Sequence, residues 1–70
     1  MVMEPGATIR RLREEKGWTQ ETLAARAKVT QGYIAQLETG TRLRLSLEVA
    51  DRLARALGVS VVALVKGDKR

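Results

Sequence analysis

A chain of 70 residues makes one domain with a small core, because at this length only roughly 60% of the surface exposed in the unfolded chain is buried on folding. The absence of cysteine excludes a disulfide framework and a thiolate zinc site, and the absence of histidine removes the usual metal ligand and general base. Thirteen basic and eight acidic side chains give a net charge of +5, which favours a polyanionic partner.

Composition also argues against a membrane protein and an enzyme. The longest apolar stretch, residues 59–65, is too short to span a bilayer, and MVMEPGAT has no basic region followed by a long apolar run. We therefore expect a cytoplasmic protein. The pattern shows no paired carboxylates in an evident cleft, so we expect no catalysis, no cofactor, no metal and no small-molecule ligand.

The first predicted helix covers about residues 5–16. A proline suits its first turn, Ile9 and Leu12 form its apolar stripe, and Gly17 ends it. Trp18 follows in the break between helices. One large ring beside a helix end is more often a core residue than an exposed binding group, so we expect Trp18 to pack against the core.

Residues 20–39 contain two short helical patterns separated by a tight break. Thr19 and Thr30 are suitable N-caps for helices 2 and 3, and Gly40 ends helix 3. Ala24 leaves room for the two helices to approach closely. The apolar positions along the segment are Leu23, Ala24, Ala27, Val29, Ile34 and Leu37. This is the layout of a helix-turn-helix.

Two more helices follow after a short loop. Ser46 caps helix 4 and Gly58 closes it, while Ser60 caps a short helix 5 that Gly67 ends. The predicted apolar stripe of helix 4 consists of Leu47, Ala50, Leu53, Ala54 and Leu57. Every gap between helices is short, so we predict one compact all-α domain over residues 1–70, with frayed ends.

Three separated blocks of the chain, IRRLREEKGWTQETLA, VTQGYIAQLETG and SLEVADRLARALGVS, resemble the lambda-repressor-like family of helix-turn-helix regulators, of the Cro and xenobiotic-response-element (XRE) type. The similarity covers about residues 6–66. It implies a five-helix fold with the helix-turn-helix in helices 2 and 3. It also implies sequence-specific binding of double-stranded DNA by a transcriptional regulator, usually a repressor.

The resemblance implies that the start of helix 3 contacts bases in the major groove. Gln31 and Gln36 match base-contacting positions, and a glutamine can donate to N7 and accept from N6 of adenine. Tyr33 is expected either to contact the DNA or to cover helix 2. Gly32 allows close approach of the backbone, and Thr30 lies on the same face. Without the resemblance, two solvated glutamines would be the simpler interpretation.

Helix 3 has no lysine or arginine, so attachment to phosphates must come from flanking segments. Gln20 matches a family position that holds a phosphate at the N-terminus of helix 2. Arg42 and Arg44 lie in a loop that follows the DNA backbone in relatives. Three further arginines are expected to add to the field from farther away, namely Arg10, Arg11 and Arg26.

In relatives, the positions of Arg13 and Glu38 form an ion pair between helix 1 and the end of helix 3, which implies a structural role for these two residues. Lys28 departs from the family because it occupies a turn position usually given to glycine, so it either strains the turn or relaxes it. The following loop lacks a proline often found in relatives. Leu43 and Leu45 therefore remain open as core or interface residues.

The class favours a homodimer on a two-fold symmetric operator, because two recognition helices then enter major grooves about 34 Å apart. The candidate interface residues are Leu43, Leu45, Val61, Val62 and Val65, although the valines are equally suited to closing the core. Two alternatives remain. One is a protein-interaction module or antitoxin-type partner that uses the same fold, and the other is a non-specific nucleic-acid binder.

Overall fold

Five α-helices form the domain in the computed structural model, which describes residues 5–41 and 45–66. The helices are α1 (Pro5–Glu15), α2 (Gln20–Ala27), α3 (Gln31–Thr39), α4 (Leu47–Leu57) and α5 (Val61–Lys66). No strand occurs in these two ranges, which confirms the predicted all-α fold. None of the described helices is long and apolar enough to cross a membrane. Gly67 and the loop residues Arg42, Leu43 and Arg44 lie outside the described ranges.

A hydroxyl caps the N-terminus of four of the five helices. Thr19, Thr30, Ser46 and Ser60 each accept a hydrogen bond from the backbone N–H three residues later, at 3.0–3.2 Å. These bonds satisfy amides that have no partner within the helix. The caps predicted from the sequence are therefore confirmed, and they fix where α2 to α5 begin.

The core lies where α1, α3 and α5 meet the α2–α4 pair. Trp18 packs against it from the break after α1, as predicted, and its ring also faces the cations of Lys16 and Arg26. The buried apolar residues are Ile9, Leu12, Leu23, Ala24, Ala27, Ile34, Leu37, Ala50, Leu53, Ala54, Leu57 and Leu64.

One predicted core position is wrong. Leu47 is 76% exposed, although its spacing from Ala50 and Leu53 suits the apolar face of α4. It is the first residue of α4, one turn before the buried part of the stripe begins, so its side chain lies beyond the edge of the core. Leu45, which the sequence left open, is half-buried and packs against the core.

Lys28 has a left-handed backbone, with φ 61° and ψ 45°, so of the two alternatives that the sequence left open the turn keeps its tight geometry. It follows the last residue of α2. Its N–H donates to the carbonyl of Ala25 at 3.3 Å, and the N–H of Val29 donates to Ala24 at 2.9 Å. These bonds satisfy carbonyls at the end of the helix. The tight turn between α2 and α3 is therefore retained with a lysine in place of glycine.

Replacement of Lys28 by glycine is expected to raise the melting temperature by a few degrees. A left-handed backbone costs a residue with a Cβ atom roughly 1–2 kcal/mol, and the greater flexibility of glycine in the unfolded chain offsets only part of this strain. Thermal melts of the Lys28→Gly variant measure the balance. Lys28→Ala keeps a Cβ atom and is the control, so it should show no gain. A lower melting temperature for Lys28→Gly would mean that strain is not the dominant effect.

Gly6 in the first turn of α1 lies against the backbone of α3. A Cβ atom at this position would collide with the carbonyl oxygen of Leu37. Gly32, in the first turn of α3, has nothing within 4 Å of the position that a Cβ atom would occupy. The two helical glycines therefore have different roles, and only Gly6 is required by packing.

We expect Gly6→Ala to destabilise the domain by about 1–3 kcal/mol, because α1 must move away from α3 to accommodate the methyl group. The matched substitution Gly32→Ala is expected to stabilise it by up to about 1 kcal/mol, since alanine has the higher helix propensity. Thermal melts of the two variants test this contrast. Equal melting temperatures would show that α1 and α3 have more space than the structure indicates.

Candidate nucleic-acid interface

One face of α3 brings together the residues that the sequence assigned to base contacts. Thr30, Gln31, Gly32 and Gln36 are exposed on or beside this helix. Tyr33 is half-buried and packs against the core, so it contributes to the fold whatever else it contacts. The face begins at the N-terminus of α3, where Thr30 caps the helix. Its side chains are uncharged, and glutamine amides are the groups best suited to paired hydrogen bonds.

Two of the candidate residues are joined directly. Nε2 of Gln31 donates to Oε1 of Gln20 at 2.8 Å, which couples the start of α3 to the start of α2. Nε2 of Gln20 in turn donates to Oε1 of Glu38 at 3.0 Å. The sequence did not reveal the second bond, because Gln20 and Glu38 lie in different helices and neither belongs to a motif that pairs them.

Arg13 and Glu38 form a two-pronged ion pair between α1 and the last turns of α3. Arg13 Nε lies 2.7 Å from Glu38 Oε2, and Nη2 lies 2.9 Å from Oε1. The side chains are only 11% and 3% exposed, respectively. Nη1 of Arg13 also donates to the carbonyl of Trp18 at 2.7 Å. The guanidinium therefore links α1, the break that follows it, and α3.

The surroundings of Glu38 stabilise its charged form. Burial alone raises the pKa of this carboxyl, but the hydrogen bonds from Arg13 and Gln20 and the charges of Arg13 and Arg10 outweigh that effect and hold the pKa below its ordinary value. The hydrogen bond with Glu38 raises the pKa of Arg13 despite its burial. The pair therefore stays ionised at neutral pH, and Glu38 acts only as an acceptor.

The cations of α1 contribute less to the field than their number suggests. Arg10 pairs with Glu14 at 3.1 Å, and Arg11 pairs with Glu15 at 3.0 Å. These exposed pairs partly neutralise the arginines that we expected to act from a distance. The predicted phosphate clamps in the loop after α3 lie outside the described residues, so their role remains a prediction.

A basic groove lies between α2 and α4. It has a volume of about 490 Å³ and is lined by Arg26, Lys28, Arg52, Arg55 and Ala56. Glu48 and Asp51 pair with the two arginines of α4, at 3.2 and 3.0 Å. Sequence reasoning missed this groove because its cations come from two helices far apart in the chain.

The crossed pair α2 and α3, with capped N-termini and an exposed polar face on the second helix, defines a helix-turn-helix domain. The helix-turn-helix family model matches residues 9–64, so this chain belongs to that family. The resemblance to Cro and XRE-type regulators found in the sequence is thereby confirmed.

Individual relatives agree with this family. The chain is 47% identical over 60 residues to an uncharacterized helix-turn-helix-type transcriptional regulator, y4dJ, of Sinorhizobium fredii, with 86% of this chain and 77% of that protein covered. The fold of this chain is also similar to that of SinR, a Bacillus subtilis regulator of biofilm formation, in a crystal structure with DNA. The TM-score is 0.82 and the identity 30%, with 86% of this chain and 95% of the SinR chain covered. The fold is likewise similar to that of the P22 c2 repressor in complex with a synthetic operator (TM-score 0.84, 30% identity, 91% and 96% covered).

Proposed function

We propose that this protein is a transcriptional regulator of the repressor type that binds double-stranded DNA in a sequence-specific way. The observation that carries the proposal is the exposed start of α3, where Gln31 is held by a hydrogen bond from its amide to Gln20. An amide that a neighbouring side chain orients on an exposed helix is suited to hydrogen bonding with base edges. SinR and the P22 c2 repressor, which share the fold, were both solved with DNA. Neither the family nor these relatives indicate an enzyme, and we propose no catalytic activity.

In this proposal α3 lies in the major groove. Gln31 and Gln36 contact adenines, Tyr33 contacts the sugar, a thymine methyl or a phosphate, and Gly32 lets the backbone approach the duplex. Thr30 lies at the same helix end, where backbone N–H groups favour a phosphate. We propose that the bound DNA is that of a bacterium or a phage and that the protein acts in the cytoplasm.

Phosphate contacts come mainly from segments that flank α3. The N-terminus of α2 with Gln20 is one of them, because free N–H groups and the helix dipole attract anions. Arg42 and Arg44 in the loop after α3 are the others. Since α3 carries no cation, these contacts supply most of the attachment that does not depend on sequence.

We further propose that the protein binds as a homodimer to a two-fold symmetric operator. A single domain of this size presents one recognition helix, and a second copy doubles the number of bases contacted. Val62 is 60% exposed and Leu47 is 76% exposed, so both are available to a second copy. Val61 and Leu45 pack against the core and are less suited to this role.

Duplex binding is expected to weaken steeply with salt. If a dimer neutralises about 4 to 6 phosphates, the slope of log affinity against log salt concentration is roughly −4 to −5. Fluorescence anisotropy titrations of a labelled duplex between low and moderate salt measure this slope. A flat response would favour a protein-interaction module instead, and equal affinity for all duplexes would favour a non-specific nucleic-acid binder.

A further inference from the structure

A continuous chain of hydrogen bonds runs from the buried ion pair to the exposed start of α3. Arg13 donates to Glu38 at 2.7 and 2.9 Å, Gln20 donates to Glu38 at 3.0 Å, and Gln31 donates to Gln20 at 2.8 Å. We call the Glu38–Gln20–Gln31 part of this chain the relay. It connects a charge that is almost completely buried to an amide on the exposed face of α3.

The charge of Glu38 dictates the direction of every bond in the relay. An ionised carboxylate has no proton to donate, so Gln20 must present its NH₂ group to Glu38. The carbonyl oxygen of the Gln20 amide then faces Gln31 and can only accept. Gln31 must therefore donate through Nε2, and neither glutamine can turn its amide over without placing two acceptors or two donors against each other.

This direction determines what remains for a ligand of α3. One N–H of the Gln31 amide is used by Gln20, which leaves the other N–H and the carbonyl oxygen. The major-groove edge of adenine offers an acceptor at N7 and a donor at N6, which match these two groups. Guanine offers acceptors at both N7 and O6, so its O6 would face the carbonyl oxygen of the amide.

We propose that Glu38 is a positioning residue for base recognition, which acts through Gln20 to orient the Gln31 amide so that it accepts adenine and rejects guanine. This inference rests on the proposed function. Glu38 does not contact DNA in this arrangement. Its buried charge fixes an amide that would otherwise turn over freely, so the specificity of Gln31 is established before DNA arrives.

The test uses Glu38→Gln, which retains the size of the side chain and introduces a donor. In either orientation the substituted amide places its NH₂ group against one N–H donor of Arg13, so it can accept from Gln20 or donate to it. The relay then no longer has one fixed direction, and its amides can turn over and present an N–H to guanine. Competition binding to a library of single-substitution operators measures preference at each base pair. The base pair read by Gln31 is the one whose preference disappears in Gln31→Ala.

At that base pair we expect the wild-type protein to prefer adenine to guanine by roughly 10-fold to 100-fold, the range of a good paired contact. In Glu38→Gln this ratio should fall below about 3-fold, with preferences at the Gln36 position unchanged. The double variant with Gln31→Ala should have the profile of Gln31→Ala alone. Glu15→Gln, an exposed carboxylate in α1, is the matched control and should leave the whole profile intact.

A purely structural role of Glu38 gives a different result. A tilted or loosened α3 would weaken binding to all operators, or alter preferences at the positions of Gln31 and Gln36 together. A full adenine preference retained in Glu38→Gln would likewise overturn the relay, while the loss in Gln31→Ala would leave the proposed function standing. A wild-type protein with no base preference would overturn both.

Gln20→Ala provides a second route if Glu38→Gln does not fold. It removes the middle of the relay and leaves the ion pair between Arg13 and Glu38 in place. We expect the adenine preference to fall at the same base pair, together with a uniform loss of affinity from the missing phosphate contact. In the free protein, the side-chain ¹⁵N–¹H₂ signals of Gln31 should shift and sharpen. Unchanged signals and an unchanged adenine ratio would overturn the relay.

Discussion

Glu38→Ala is expected to destabilise the domain by about 3–5 kcal/mol, because it leaves the guanidinium of Arg13 buried without its counter-ion. A domain of this length has a free energy of unfolding of only about 4–10 kcal/mol, so the loss is a large fraction of the whole. Urea denaturation followed by circular dichroism measures the loss. Glu15→Ala removes one partner of an exposed pair and is the control, with an expected change of about 0–1 kcal/mol.

The double variant Arg13→Met/Glu38→Ala removes both charges, so neither is left buried without a partner. We expect its loss of stability to be smaller than the sum of the losses in the two single variants. Additive and small losses would show that the pair behaves as a surface contact.

The same pair predicts acid sensitivity. The pKa of Glu38 is lower in the folded protein than in the unfolded chain, so its contribution to stability is fully present above the ordinary glutamate pKa. That contribution is lost as the pH falls through the lowered folded pKa. The wild-type protein should therefore lose more stability on acidification than Glu38→Ala does.

Gln31→Ala is the second substitution with a large expected effect. It should cost roughly 1–3 kcal/mol of binding to the preferred operator and relax the preference at one position per half-site, because the paired contact to adenine is lost. Gln36→Ala should do the same at a different position. Arg42→Ala is the contrasting control, since loss of a phosphate contact weakens all sequences alike. Binding profiles over single-substitution operators test this, and unchanged preferences in both glutamine variants would reject the assigned readers.

The local features of the fold were accessible from the sequence because they depend on neighbouring residues. Apolar spacing, hydroxyl caps and terminal glycines predicted all five helices, and α1 ends one residue before the predicted position. The family pattern identified Lys28 as the unusual turn residue but did not decide between a strained and a relaxed turn. The exposed face of α3 could be assigned from local sequence as well, since the helical period of 3.6 residues places Gly32 and Gln36 on the side away from Ile34 and Leu37.

Features that depend on how helices meet were not accessible. The contact of Gly6 with the backbone at Leu37 requires the crossing of α1 and α3, and no local pattern distinguishes Gly6 from Gly32. The spacing rule also placed Leu47 in the core, because periodicity does not show where a core ends. The bond between Gln20 and Glu38 had no sequence signal, although it determines how the candidate site is organised.

Selection of bound duplexes from a random pool measures whether the protein recognises DNA by its sequence. After a few rounds at moderate salt, we expect a two-fold symmetric consensus with half-sites about one helical turn apart and an adenine that Gln31→Ala no longer selects. A bound pool with the same base composition as the starting pool at every position would show that the protein does not read base sequence.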